Sequence, residues 1–120
     1  MFDLDEYMKN APVLHNFPEG GEVRKSLICR NGQKISIQAS NIHYCTPQNN
    51  EGPWTHFELG YLNQLGYDFL IEYAEDTVFS YVPKEKVLQL IELNGGAADE
   101  NIIDDQPYIE SPNEWDLMED

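Results

Sequence analysis

The chain has 120 residues, of which 41% are hydrophobic and 8 are glycine, enough for one small globular domain and too short for two. Its 22 acids against 7 Lys and Arg give a formal charge of −15, so it lacks the clustered cations that release counterions from a phosphate backbone or dock on anionic lipid. Direct nucleic-acid binding and membrane docking through a basic patch are therefore set aside, and no apolar run exceeds the four residues Ala11-Pro12-Val13-Leu14, where a spanning helix needs ~20. Cys29 and Cys45 are too few for a disulfide framework, and the start Met1-Phe2-Asp3-Leu4-Asp5-Glu6 lacks the cationic region of a signal peptide, which makes a reducing cytoplasm the expected compartment.

In chain order, residues 1–22 form an N-terminal segment in which 3–10 reads as a short helix and 11–22 as loop. The folded domain is expected over residues 23–96. Ser26-Leu27-Ile28-Cys29-Arg30, Asn31-Gly32 and Gln33-Lys34-Ile35-Ser36-Ile37-Gln38 carry the strongest local signal, because Asn-Gly supplies both positive-φ residues of a type I′ turn. The two-residue loop pairs Arg30 with Gln33 and Ile28 with Ile35. That register puts Ile28, Ile35 and Ile37 on the core face and Cys29, Lys34 and Ser36 on the other. After a connection rich in turn formers, residues 54–61 alternate large apolar with polar side chains and read as a third strand. Residues 67–74 offer one or two helical turns, and Thr77-Val78-Phe79-Ser80-Tyr81-Val82 reads as a fourth strand ending at Pro83. From Pro83 a helix places Val87, Leu88, Ile91 and, at the stripe's edge, Leu90 on one side before Asn94 and Gly95 stop it. The fold class is α+β, a small antiparallel sheet of a hairpin plus two strands packed by a C-terminal amphipathic helix. Residues 97–120 hold nine acids, two prolines and no base, which reads as a disordered acidic tail. The remaining 13 acids and all 7 bases leave the body at −6.

Several motifs recur together. Gln38-Ala39-Ser40, His43-Tyr44-Cys45-Thr46-Pro47, Gly52-Pro53-Trp54, Glu58-Leu59-Gly60-Tyr61, Tyr73-Ala74-Glu75-Asp76, Tyr81-Val82-Pro83 and Gly95-Gly96 lie between residues 38 and 96, within a likeness that covers roughly residues 26–96. In this the chain resembles a group of small uncharacterised proteins from phages and prophages, with Gln48 standing where their pattern has Arg. The resemblance implies a mobile-element origin, hence the cytoplasm of a host cell, and implies no chemistry.

Cys29, His43, Cys45 and His56 are the ligand types of a tetrahedral zinc site, but the only close pair is His43-x-Cys45, and free Cys is more often simply buried. A thiol enzyme would need Cys45 or Cys29 activated by a base, and His43 shares a face with Cys45 if the segment is extended. No glycine-rich anion cradle accompanies that pair, so the expectation is no enzyme, no cofactor and no bound metal. Glu75-Asp76 reads as solvated loop charge. Trp54, Phe57, Tyr61, Phe69, Tyr73, Phe79 and Tyr81 are expected in the core, since base stacking works beside a cationic groove that this chain lacks.

Net charge then carries the functional reading, against the plain one that it serves solubility. The chain is expected to be a non-catalytic interaction protein that binds a basic host protein, in its sharper form as a DNA mimic whose carboxylates imitate one phosphate charge per ~1.7 Å of duplex and inhibit a nucleic-acid-acting defence enzyme. In the tail, Asp104, Asp105, Glu110, Glu114, Trp115, Asp116, Leu117 and Met118 set aromatic and apolar anchors among carboxylates, a pattern suited to folding on a basic partner. The alternatives are a small zinc-binding or thiol-dependent domain built on Cys29, His43, Cys45 and His56, and an accessory domain.

Overall fold

A computed structural model describes residues 2–18 and 20–99. The protein is α+β, with a five-stranded and a two-stranded antiparallel sheet. The helix expected near the N-terminus is α1 (Leu4–Asn10). Asp3 caps it by accepting from the Glu6 amide, and its buried Leu4 and Met8 join the main core.

The segment read as loop contains a strand, β1 (Val13–Asn16), paired antiparallel with β2 (Glu22–Arg24). β1 is mostly exposed, so it has no inward face to impose apolar alternation, and its strand character comes from pairing alone. The large sheet runs in the order β3 (Leu27–Ile28), β4 (Lys34–Gln38), β5 (His56–Gly60), β7 (Val78–Pro83), β6 (Ala74–Glu75). Between β5 and β6 lie α2 (Gln64–Phe69), capped by Asn63, and a 3-10 turn over Ile71–Tyr73. The expected terminal helix is α3 (Lys84–Leu93), with Pro83 before it and Gly95 and Gly96 at φ +91° after it. It buries Val87, Leu90 and Ile91, while Leu88 is partly buried.

The hairpin differs from expectation by one residue. Leu27 pairs with Ile35 and Ile28 with Lys34, so the loop is Arg30-Asn31-Gly32, with the Gly32 amide on the Cys29 carbonyl at 2.8 Å and only Gly32 at positive φ. α3 decides this. The Arg30 amide donates to the Gly96 carbonyl at 2.9 Å, so it does not close a two-residue turn on the Gln33 carbonyl, and the Asn31 amide donates to the Asn94 carbonyl at 3.2 Å. On β3 alone the faces exchange as a result: Leu27 and Cys29 are buried in the core and Ile28 stands on the opposite face, while Ile35 and Ile37 are in the core as expected. Asn94, 1% exposed, ties this end together, accepting from Asn31 at 2.9 Å and Asn63 at 3.4 Å and donating to the Leu90 carbonyl.

Pairing continues past Gly96, since Ala97 bridges Cys29 and the Ala98 amide donates to the Ile28 carbonyl at 2.8 Å. Among the described residues no helix is long and apolar enough to cross a membrane. The aromatics divide. Trp54, Phe57 and Phe79 are buried, Phe69 and Tyr73 pack at the core's edge, and Tyr61 and Tyr81 are exposed, because the residues that carry those two rings stand at breaks in strand regularity with φ of 60° and 52°.

Candidate functional site

β-Alternation gives the large sheet one apolar face, with Ile35, Ile37, Phe57 and Leu59 turned to the core. On the other face Ser36 is opposite Gly60 and Gln38 is opposite Glu58. These four residues, walled by Val23 and His43 on one side and by Tyr61, Thr77 and Val78 on the other, enclose a cavity of about 390 Å³. Ser36 and Gly60 leave the depression open: a Cβ built on Gly60 would meet nothing closer than Ser36 Cβ at 3.7 Å.

One wall is held by a side chain acting as a strand. Gln38 Oε1 accepts from the Arg24 amide at 2.7 Å, and its Nε2 donates to the Arg24 carbonyl at 2.9 Å and to Ser36 Oγ at 3.0 Å. This anchors β2, and with it Val23, beside β4. The Arg24 side chain turns away, its Nε on the Met8 carbonyl at 2.9 Å, a terminal nitrogen on the Ala39 carbonyl at 2.8 Å, and its guanidinium carbon 5.2 Å from the centre of the Trp54 ring. Glu22 lies 3.5 Å from it. Burial lowers the Arg24 pKa, but the carbonyls and Glu22 hold the cation.

Opposite Glu58, the β5–β7 register slips by one residue, a bulge that takes in Tyr81. The freed Tyr81 amide donates to the Tyr44 carbonyl at 3.1 Å, and Glu58 Oε1 accepts from the Tyr44 amide at 2.9 Å. The loop carrying His43 and Cys45 is thereby fixed against the sheet. Among the described residues no cation pairs with Glu58, and burial raises its pKa against the opposing effect of the Tyr44 amide. His43 is 7% exposed, and its Nδ1 is 2.7 Å from Ser40 Oγ, while Nε2 has no hydrogen-bond partner among the described residues. Burial and the Arg24 charge lower its pKa to about 4, so the ring is neutral at pH 7.

Of the four zinc candidates, His43 and Cys45 share this loop, whereas Cys29 sits in the hairpin core and His56 Nδ1 is taken up by Thr55 Oγ1 at 2.8 Å. Among the described residues no three His, Cys, Asp or Glu side chains are gathered to hold a metal. Burial holds the Cys29 thiol up at about 11 and raises that of Cys45, whose Sγ lies 3.2 Å from the Ser40 carbonyl oxygen. Both are the reverse of an activated thiolate. Ser40 is the His43 partner but is fully buried, beyond the reach of a substrate. Asp104, Asp105, Glu110, Glu114, Trp115, Asp116, Leu117 and Met118 lie outside the described residues.

Sequence reasoning singled out His43 but passed over Ser36, Gln38 and Glu58 as a group. The available signal was the polar alternation of the two strands that place these residues opposite the apolar face. A second surface escaped it too. Between residues 35 and 83 the chain has six acids and no Lys or Arg. Within that stretch Leu65, Tyr67 and Ile71, 48%, 45% and 51% exposed, are interspersed with the exposed acids Asp68, Glu72, Glu75 and Asp76. Comparison of the chain with protein-family models, curated proteins and solved structures returns no match.

Proposed function

We propose that this protein is a non-catalytic interaction domain that binds a basic protein surface. The observation that carries the reading is the stretch 64–76, where three exposed apolar side chains are set among four exposed carboxylates and the sequence holds no Lys or Arg, Lys86 of α3 standing over the Phe69 ring. Singly exposed apolar residues are ordinary, but three of them between residues 65 and 71, interspersed with one sign of charge, have the composition of a docking surface. Carboxylates at the rim steer the approach of a basic partner, and Leu65, Tyr67 and Ile71 supply the contact that excludes water. The acids, Trp115, Leu117 and Met118 beyond the described residues extend the same chemistry along the chain.

The likeness of its motifs to phage and prophage proteins is the ground for naming a host nucleic-acid enzyme as the partner, with the acids in the place of phosphates. Immobilised full-length protein should retain such an enzyme from bacterial lysate at low salt and release it at ~0.5 M salt, where the Debye length shrinks to a few ångströms. Duplex DNA should displace the enzyme, and Ile71→Ser combined with Tyr67→Ser should abolish its retention. Retention that is indifferent to salt and to these substitutions would refute the reading.

A further inference from the structure

The cavity on the open face of the sheet contains a carboxylate with one oxygen uncommitted. Glu58 Oε1 is held by the Tyr44 amide, and Oε2 has no partner among the described residues. Half-buried Glu58 has lost part of its hydration without gaining an ionic partner among the described residues, and a cation entering the cavity relieves that cost. The other polar side chains that line it are neutral, among them Ser36, whose Oγ already accepts from Gln38 and has a second lone pair, and His43, on a ring 7% exposed and fixed through Nδ1.

Glu58 and Ser36 supply acceptors, one of them charged, to a space that His43 and apolar side chains also line. No Lys or Arg lines the space, so nothing in it favours an anion. Arg24, the nearest cation in electrostatic reach of His43, spends its donors on Met8, Ala39 and Glu22. Val23, Tyr61 and Val78 suit a flat, weakly hydrated group better than a strongly hydrated ammonium.

We infer that this cavity receives a guanidinium, the arginine side chain of a basic partner, with Glu58 as its ion-pairing group and Ser36 as a neutral acceptor. The source of the cation rests on the proposed function; the chemistry of the cavity does not.

The test uses N-acetyl-arginine amide as the probe, followed by amide NMR of the full chain at low salt. The probe should shift the Ser36, Glu58, Gly60 and Tyr61 amides. Its citrulline counterpart, the same shape without charge, should bind at least about ten-fold more weakly. Glu58→Gln keeps an acceptor for Tyr44 and should lose the probe. Gly60→Val fills the floor where a Cβ has room and should lose it independently. Equal binding of citrulline, undiminished binding by both variants, or shifts confined to residues 68–76 would overturn the inference.

Two comparisons separate this claim from the proposed function. If Glu58→Gln loses the probe but captures the basic partner as well as the native chain, the cavity serves a free guanidinium compound and the partner assignment is wrong. If the probe binds as expected but no basic partner is retained, the acidic-surface reading fails and the cavity chemistry stands.

Discussion

Replacing Gln38 with Leu removes three hydrogen bonds, two of them to the Arg24 backbone, where no strand is positioned to replace them. The Arg24 amide and carbonyl face Gln38 at 2.7 and 2.9 Å, and both residues are 5% exposed. Leu fills a similar volume, so no large cavity term enters, but a buried N–H and a buried C=O lose their partners at about 1–3 kcal/mol each. The expected loss is roughly 2–6 kcal/mol, a large part of the 5–15 kcal/mol typical of a domain. A domain of this size shifts by about 4–8 °C per kcal/mol, so the thermal midpoint should fall by at least ~10 °C, with a matching fall in the urea midpoint at unchanged slope. Gln38→Glu is the informative companion. At neutral pH its carboxylate accepts from the Arg24 amide but cannot donate to the carbonyl. Protonation restores a donor, so its deficit relative to the native chain at the same pH should narrow as pH falls. A midpoint change below ~3 °C for Gln38→Leu would refute the claim that this side chain anchors β2.

Glu58→Gln should raise the thermal midpoint at pH 7, because it removes a desolvated charge while keeping an acceptor for the Tyr44 amide. The folded pKa of Glu58 is raised, so the gain should fade as acid neutralises the native carboxyl; a midpoint that falls on substitution contradicts the electrostatics. His43 titrates in the opposite sense. Its folded pKa of about 4 lies below the ordinary 6.5, so the unfolded chain binds the proton first, and stability should drop as pH falls from 6.5 towards 4, by up to about 3 kcal/mol. His43→Gln should flatten that part of the urea-stability profile, and an unchanged slope would show that the ring is not buried in its neutral form. With the Cys29 pKa near 11 and that of Cys45 raised, iodoacetamide at pH 7.5 should label neither thiol in the folded protein, and labelling within minutes, read by mass spectrometry, would contradict their burial.

Local chemistry was enough for the elements whose signals are local. Asp3 and the run after it specify α1, and Pro83 before the apolar stripe with Asn94 and Gly95 after it bounds α3. Apolar alternation finds β5, and the β-rich run 77–82 finds β7 to within a residue. Elsewhere the deciding partner is remote in sequence. Asn31-Gly32 announces a turn, but the length of that turn is set by amides that donate to Asn94 and Gly96, more than sixty residues away. One residue of register then moved Cys29 inward and Ile28 outward, because strand side chains alternate with period two. β1 is a strand through its pairing with β2, and β2 is held by a glutamine side chain. The cavity has the same origin. His43 was visible as a chemical group, yet Ser36, Gln38, Glu58 and Gly60 form a site only because β4 and β5 pair in a register that sets small and polar residues opposite one another, and a bulge in β7 locks Tyr44 over Glu58. A side chain's type is written in the chain, but its desolvation and its lack of a partner belong to the packed structure, since both depend on atoms that only folding brings near.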